Sequence, residues 1–342
     1  MSVEVSGAGP WPGDDQLEAQ SAVTGEIAET PDPAVGMPWA VRLPDRGPEH
    51  TGVGAGLGLL LDLPAELGPH GWRFADRPGH DAARLDAARR EQVDALAVAA
   101  HGWSGPLLVP VCGPLTLAGS VYLARGDRAV ADRGAVTEIV ESLAAGIGDH
   151  LAAIGRVLPE AAPTVLLHEP LLAAVVAGTL PTFSGYARLR SVPAAEVAER
   201  LTRAVDLLRA SGAARVAIHL GTGATLAPVV RRSGADGIGV TVSSLDERRW
   251  EPVAEAVEAG LRLFAQVDPP RTSQCAGPDV RGVAQPVLDG WRRVGLPNDR
   301  LGAVTLLAPA PEIGAPEAVR TARATLATVA RAAELVAERA ED

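Results

Sequence analysis

The sequence predicts a single-domain α/β fold, a (β/α)8 barrel of TIM type, on three observations. Apolar strand-like runs alternate with helical segments along most of the 342 residues. The strand runs are continuously apolar, which suits a parallel sheet covered on both faces by crossover helices. No GxGxxG motif falls on a strand-to-helix turn, which weakens a dinucleotide fold and leaves an open doubly wound sheet as the second choice. The length accommodates one large core, and barrels of this kind commonly reach it.

Taken in order, residues 1–6 read as a flexible tail and 7–342 as the barrel. Gly7-Ala8-Gly9-Pro10-Trp11-Pro12-Gly13 reads as a rigid loop beside a first strand. Asp14-Asp15 can cap a helix that runs to about residue 29. Residues 30–56 are rich in Pro and Gly and read as an excursion, with Gly52-Val53-Gly54-Ala55-Gly56 as a flexible loop. The apolar run 57–63 fits a short helix or a strand equally well. From residue 80 the alternation is regular: helix 80–100, strand 106–111, helices 115–125 and 132–157, strand 164–167, helix 193–211 and strand 214–218. It continues with helix 223–232, strand 237–242, helix 248–259, strand 261–267, helix 279–294, strand 303–307 and a last helix over 316–340. With the Gly7 region and 57–63 counted, about eight strands are available.

Composition narrows the function. Apolar residues make up 47% and charged residues 21%, a globular and not a disordered balance. Aromatics are only 3%, so the core must be built from Ala, Val and Leu. A net charge of -11 argues against a nucleic-acid partner and for solubility. All 31 cationic side chains are Arg, which excludes a Schiff-base, pyridoxal-phosphate or P-loop lysine. Two cysteines, Cys112 and Cys275, make no disulfide framework. No signal-peptide pattern and no apolar run of about 18 residues is present, so the expectation is a cytoplasmic chain with no membrane partner.

In a parallel barrel the chemistry gathers at the C-terminal ends of the strands. Here those ends are Cys112-Gly113-Pro114, His168-Glu169-Pro170, His219-Leu220-Gly221, Ser243-Ser244, Asp268-Pro269-Pro270 and Leu307-Ala308-Pro309. His168, Glu169 and His219 are the acid–base groups among them and the expected catalytic residues, set around a mouth that takes a small molecule. A polar residue ending a strand is also often only a loop residue or helix cap. His50, His70, His80, His101 and His150 fall in loops or on helix faces and are expected to be solvated, as are Asp149 and Arg248-Arg249. HExxH, CxxC and GxSxG are all absent, so spacing alone supports neither a metal site nor a serine hydrolase.

Six short motifs in order carry a resemblance. Gly9-Pro10-Trp11-Pro12-Gly13 resembles a GSWPG opening, Leu43-Pro44-Asp45-Arg46-Gly47-Pro48 an LPxRGP loop, and Asp62-Leu63-Pro64 with Gly71-Trp72-Arg73 a DLP…GWR segment. Gly113-Pro114-Leu115-Thr116-Leu117-Ala118 resembles a GPxTLA turn, Glu169-Pro170 a DEP motif, and His219 an HxC motif. Together, from about residue 7 to 335, they are similar to short actinobacterial relatives of the catalytic domain of cobalamin-independent methionine synthase.

That resemblance implies a zinc enzyme which lowers the pKa of a bound thiol and methylates it from methyltetrahydrofolate. Its ligands would come from the HxC motif, an acidic residue on the next strand and a cysteine after the last strand. Only His219 occupies such a position here; Gly221, Ser243 and Ala308 stand at the others, and His168 replaces the DEP aspartate. Neither Cys112 nor Cys275 falls where a ligand is needed. Trp11, Gly113 and Ser243 are the expected substrate-pocket residues. The expectation is a barrel without zinc or another cofactor, with methyltransferase activity altered or lost, and with no particular protein partner implied. Two alternatives stand beside it. One is a non-catalytic binder or partner-stabilising pseudoenzyme. The other is a methyltransferase with a rearranged metal site of His168, Glu169 and His219, whose ligand types are acceptable.

Overall fold

The protein is represented by a computed structural model that describes residues 2–268 and 278–341. The strands are β1 (Glu4–Gly7), β2 (Val35–Gly36), the antiparallel hairpin β3 (Ala65–Gly68) and β4 (Gly71–Phe74), then β5 (Pro106–Cys112), β6 (Ala162–His168), β7 (Arg215–His219), β8 (Gly237–Thr241), β9 (Arg262–Gln266) and β10 (Val304–Ala308). All but the hairpin form one parallel sheet in the order β2-β1-β10-β9-β8-β7-β6-β5, which is chain order around a ring. The two ends of that order meet just beyond β2. Ala40 N–H donates to the Leu108 carbonyl at 3.0 Å, and Leu108 N–H to the Pro38 carbonyl at 2.8 Å, with Trp39 bridging Leu108 in parallel. The sheet is therefore a barrel of eight strands and not an open doubly wound sheet.

Each crossover supplies a covering helix. These are α1 (Gln16–Ala28) after β1, α2 (Gly52–Leu57) and α3 (His80–Ala99) after β2, α4 (Pro114–Ser120) and α5 (Arg133–Val157) after β5, and α6 (Leu172–Ala177) and α7 (Ala194–Ala210) after β6. Single helices α8 (Ala227–Arg232), α9 (Glu247–Glu258), α10 (Val280–Arg293) and α11 (Ala318–Glu341) follow β7 to β10. Local chemistry sets their starts: Asp15 accepts from Glu18 N–H and Asp132 from Ala135 N–H. The buried positions of α5, among them Val136, Ile139, Val140, Leu143, Ile147, Leu151 and Ile154, form one stripe at helical spacing. Val165, Leu166 and Leu167 of β6 are all fully buried, as a strand covered on both faces requires. Among the described residues no helix is long and apolar enough to cross a membrane.

Polar contacts show which side chains face the lumen. Glu4 on β1 meets Arg215 on β7 at 2.9 Å, although β10, β9 and β8 lie between them along the sheet. That contact has to cross the barrel. Glu4 also accepts from the Thr305 hydroxyl at 2.9 Å and lies 3.5 Å from Arg262, while Arg215 donates to Thr164 at 3.1 Å. These groups floor the lumen. Strand side chains alternate, so from Thr164 the inward series continues to His168, and from Arg215 to His219. Both histidines therefore stand at the C-terminal mouth.

Several sequence expectations change. Residues 1–6 are not a tail throughout: β1 begins at Glu4 and all four of its residues are buried. The run 57–63 holds no strand; the second barrel strand is Val35–Gly36, inside the expected excursion and too short to show a period. The glycines of 52–56 belong to α2, where Thr51 Oγ1 accepts Gly54 N–H at 3.2 Å. A Cβ on Gly54 would strike the Pro48 carbonyl, so close approach and not flexibility requires glycine there.

Candidate small-molecule site at the barrel mouth

His168 and His219 are register partners at the ends of β6 and β7, with ring centroids 5.2 Å apart and planes tilted by 50°. Gly239 on β8 makes room for the second ring; a Cβ there would collide with it, coming within 2.8 Å of Cγ. His219 Nδ1 accepts the N–H of Gly221 at 3.1 Å, so the neutral ring carries its hydrogen on Nε2. The Nε2 atoms of both histidines are shielded from solvent and have no hydrogen-bond partner. Burial holds His219 down to about 4. It also holds His168 well below the usual histidine range, helped by the nearby His219 and Arg42 and opposed by a backbone hydrogen bond with Ala8. Both rings are neutral at pH 7.

Glu169 has a structural role at the strand ends. It is fully buried, and its carboxylate accepts the N–H groups of Leu115 at 2.9 Å and Thr116 at 2.6 Å, in the first turn of α4. Those amides have no partner inside their own helix. Thr116 Oγ1 in turn accepts Leu171 N–H at 3.2 Å, which ties the Gly113-Pro114 turn to the Glu169-Pro170 turn. Gly113 is small because a Cβ there would lie 2.6 Å from Glu169 Cγ. Burial raises the Glu169 pKa to about 7, with its hydrogen bonds to Leu115 and Thr116 opposing. With no exposed surface and two amides on its oxygens, the Glu169 carboxyl group ties the two strand-end turns together.

The other expected pocket residues separate. Trp11 and Ala308 line a cavity of about 200 Å³ between the ends of β1 and β10 and the first turns of α11, together with Trp39 and Thr321. Trp11 and Trp39 have centroids 6.0 Å apart, and Trp11 Nε1 has no partner. Gly113 lies against Glu169 and not in that cavity. Ser243 is exposed and donates to Asp268 at 2.8 Å, on the outer rim. Gly221 takes a left-handed conformation at φ 59°. Cys112 is the register partner of His168, and burial pushes its thiol above the usual range. Cys275 lies outside the described residues.

Some buried polar groups escaped the sequence reading. His50 and His150 are buried and not solvated, and burial holds His150 down to about 4. His150 falls on the buried stripe of α5, three residues after Ile147 and four before Ile154, and that spacing was the available signal. Arg42 sits inside the Pro- and Gly-rich excursion with no motif around it.

The donor set does not fit zinc. Among the described residues no group of three or more His, Cys, Asp or Glu side chains is placed to hold a metal ion. His219 would have to move its proton to Nδ1, against Gly221 N–H, before Nε2 could ligate. Glu169 is committed to α4. What remains is two imidazoles, fewer than the three or four protein ligands that zinc sites use.

No protein-family model and no curated protein matches the chain. Solved structures do. A B12-independent methionine synthase from Shewanella sp. W3-18-1, in complex with selenomethionine, is similar over 99% of this chain and 98% of its own, with a TM-score of 0.60 and 10% identity. A protein assigned as a vitamin-B12-independent methionine synthase from Listeria monocytogenes is similar over 97% of this chain and 96% of its own, with a TM-score of 0.55 and 9% identity. At such identity the likeness shows the fold alone: over its whole length, this chain has the barrel found in those proteins.

Proposed function

We propose that the barrel mouth binds a small polar molecule through paired neutral imidazoles, on a methionine synthase-like scaffold whose thiol methylation is altered or lost. The observation that carries this reading is the side-by-side placement of His168 and His219, each with a buried and unpartnered Nε2. A buried polar nitrogen without a partner is costly, which favours a ligand atom that completes it. His219 Nε2–H is a ready donor to a carbonyl, carboxylate or phosphate oxygen. At a pKa of about 4 it is a poor base at neutral pH, so binding suits it better than proton abstraction. With Glu169 occupied, no carboxylate in the pair answers a ligand ammonium, which disfavours an amino acid.

Thiol methylation needs a thiolate. A free alkyl thiol near pKa ~8.5 is only a few per cent ionised at pH 7, and the imidazole pair supplies no soft cation to change that. The test is elemental analysis of protein expressed with ample zinc, alongside methyl transfer from methyltetrahydrofolate to homocysteine. The reading expects far less than one zinc per chain and no methionine formed. Stoichiometric zinc lost in His219→Ala, or turnover that depends on His219, would overturn it. Screening small carboxylates and phosphates by thermal shift, with His219→Phe as the control, then identifies ligand chemistry.

A further inference from the structure

Arg42 carries a charge that the fold leaves unanswered. Its guanidinium lies between Gly9, where a Cβ would sit 2.6 Å from NH2, and Gly52, where a Cβ would sit 3.3 Å from NH1. Its Nε is buried without a hydrogen-bond partner. None of the ion pairs among the described residues includes it. Burial lowers its pKa, yet arginine does not shed its proton in proteins.

Each nearby group that might neutralise it is otherwise engaged. Glu49 gives both oxygens to Arg84, at 3.2 and 2.6 Å. Glu169 is held by the α4 amides. A Cys112 thiolate would be attracted to Arg42, but burial pushes that thiol up and keeps it neutral. Arg42 is half-buried with its Nε fully enclosed, and an unpaired cation so placed is unfavourable, which favours a counter-charge from outside the chain.

There is space for one. Arg42 and Cys112 share the wall of a cavity of about 40 Å³, set between the β2–β5 side of the barrel and helices α2, α3 and α5. His50, His150, Arg89, Gln92, Gln16 and Glu49, the last ion-paired to Arg84, complete its polar lining. His150 is 3% exposed and its Nδ1 also lacks a partner. Since a water needs roughly 10–15 Å³ of such volume, the cavity takes only a few heavy atoms. We propose that it is a binding site for a small monovalent anion, of formate or chloride size, which pairs with Arg42. Neither His168 nor His219 lines the cavity, although Arg42 lies near His168, so His219→Phe, which should leave the anion response intact, separates the two sites.

The experiment is thermal unfolding of the full chain at fixed pH and ionic strength, with a bulky sulfonate replaced stepwise by formate or chloride. The expected result is a saturable rise in Tm of a few degrees in the wild type. Arg42→Met should show no such response, whatever its basal Tm. As a measurement that needs no variant, bromide-soaked wild-type crystals should give an anomalous peak beside the guanidinium. A wild-type Tm indifferent to the anion, an undiminished response in Arg42→Met, or a cavity holding water and no bromide would overturn the proposal.

Discussion

Replacing Glu169 with Gln tests how the strand-end turns are held, and its effect should depend on pH in a defined direction. The side chain is fully buried and its pKa is raised from 4.5 to about 7. A carboxyl group with a raised folded-state pKa takes up protons more readily folded than unfolded. Its contribution to stability is fully present below the unfolded value and lost as pH rises through the folded one. A difference of about 2.5 units corresponds to roughly 3 kcal/mol, most of which falls between pH 5 and 8. The histidines act oppositely. His150 and His219, held down to about 4, favour the folded state above their unfolded pKa and withdraw that support as pH falls. The raw stability curve therefore mixes both effects, whereas the wild type minus Glu169→Gln difference isolates Glu169. Gln accepts through one oxygen only, so one of the Leu115 and Thr116 amides loses its partner, costing about 1–3 kcal/mol. Urea unfolding followed by circular dichroism at pH 5, 6, 7 and 8 measures the difference. The wild type's advantage should be largest at pH 5 and shrink by roughly 2–3 kcal/mol by pH 8. An advantage that stays constant or grows with pH would refute the assignment.

Two further substitutions probe the lumen. Gly239→Ala places a Cβ against the His219 ring and should destabilise by about 1–3 kcal/mol, read as a lower urea midpoint and a displaced His219 ring resonance. Unchanged stability and an unmoved resonance would mean that the ring does not pack there. Glu4→Gln removes the carboxylate facing Arg215 and Arg262, whose side chain is 9% exposed, and should cost about 3–5 kcal/mol by the same assay. A loss below about 1 kcal/mol would show that solvent already screens the cluster.

Most of the barrel was legible because its elements carry their own period. The apolar run of β6 and the stripe of α5 each encode burial locally, and their bounds come close to the expected ones. β2 was not legible: two residues hold no period, and closure rests on backbone bonds of Pro38 and Ala40 to Leu108 that any sequence can make. β3 and β4 were missed for a related reason, as strands of four residues each outside the βα alternation. At the mouth, the pairing of His168 with His219 followed from strand ends on adjacent parallel strands. The role of Glu169 did not, because its partners lie 53 and 54 residues away and only the folded chain brings the first turn of α4 beneath it. Arg42 was invisible for the opposite reason: what marks it is the absence of a partner, and sequence does not display that.

The most direct test of the mouth as a paired-imidazole site unsuited to zinc is the tautomer of His219, read by long-range 1H–15N correlation on imidazole-labelled protein before and after adding zinc. The hydrogen bond from Gly221 predicts a neutral ring protonated on Nε2 at pH 7, unchanged by the metal. A ring protonated on Nδ1, with Nε2 shifted as a zinc ligand, would contradict it and restore a metal-dependent reaction at this mouth.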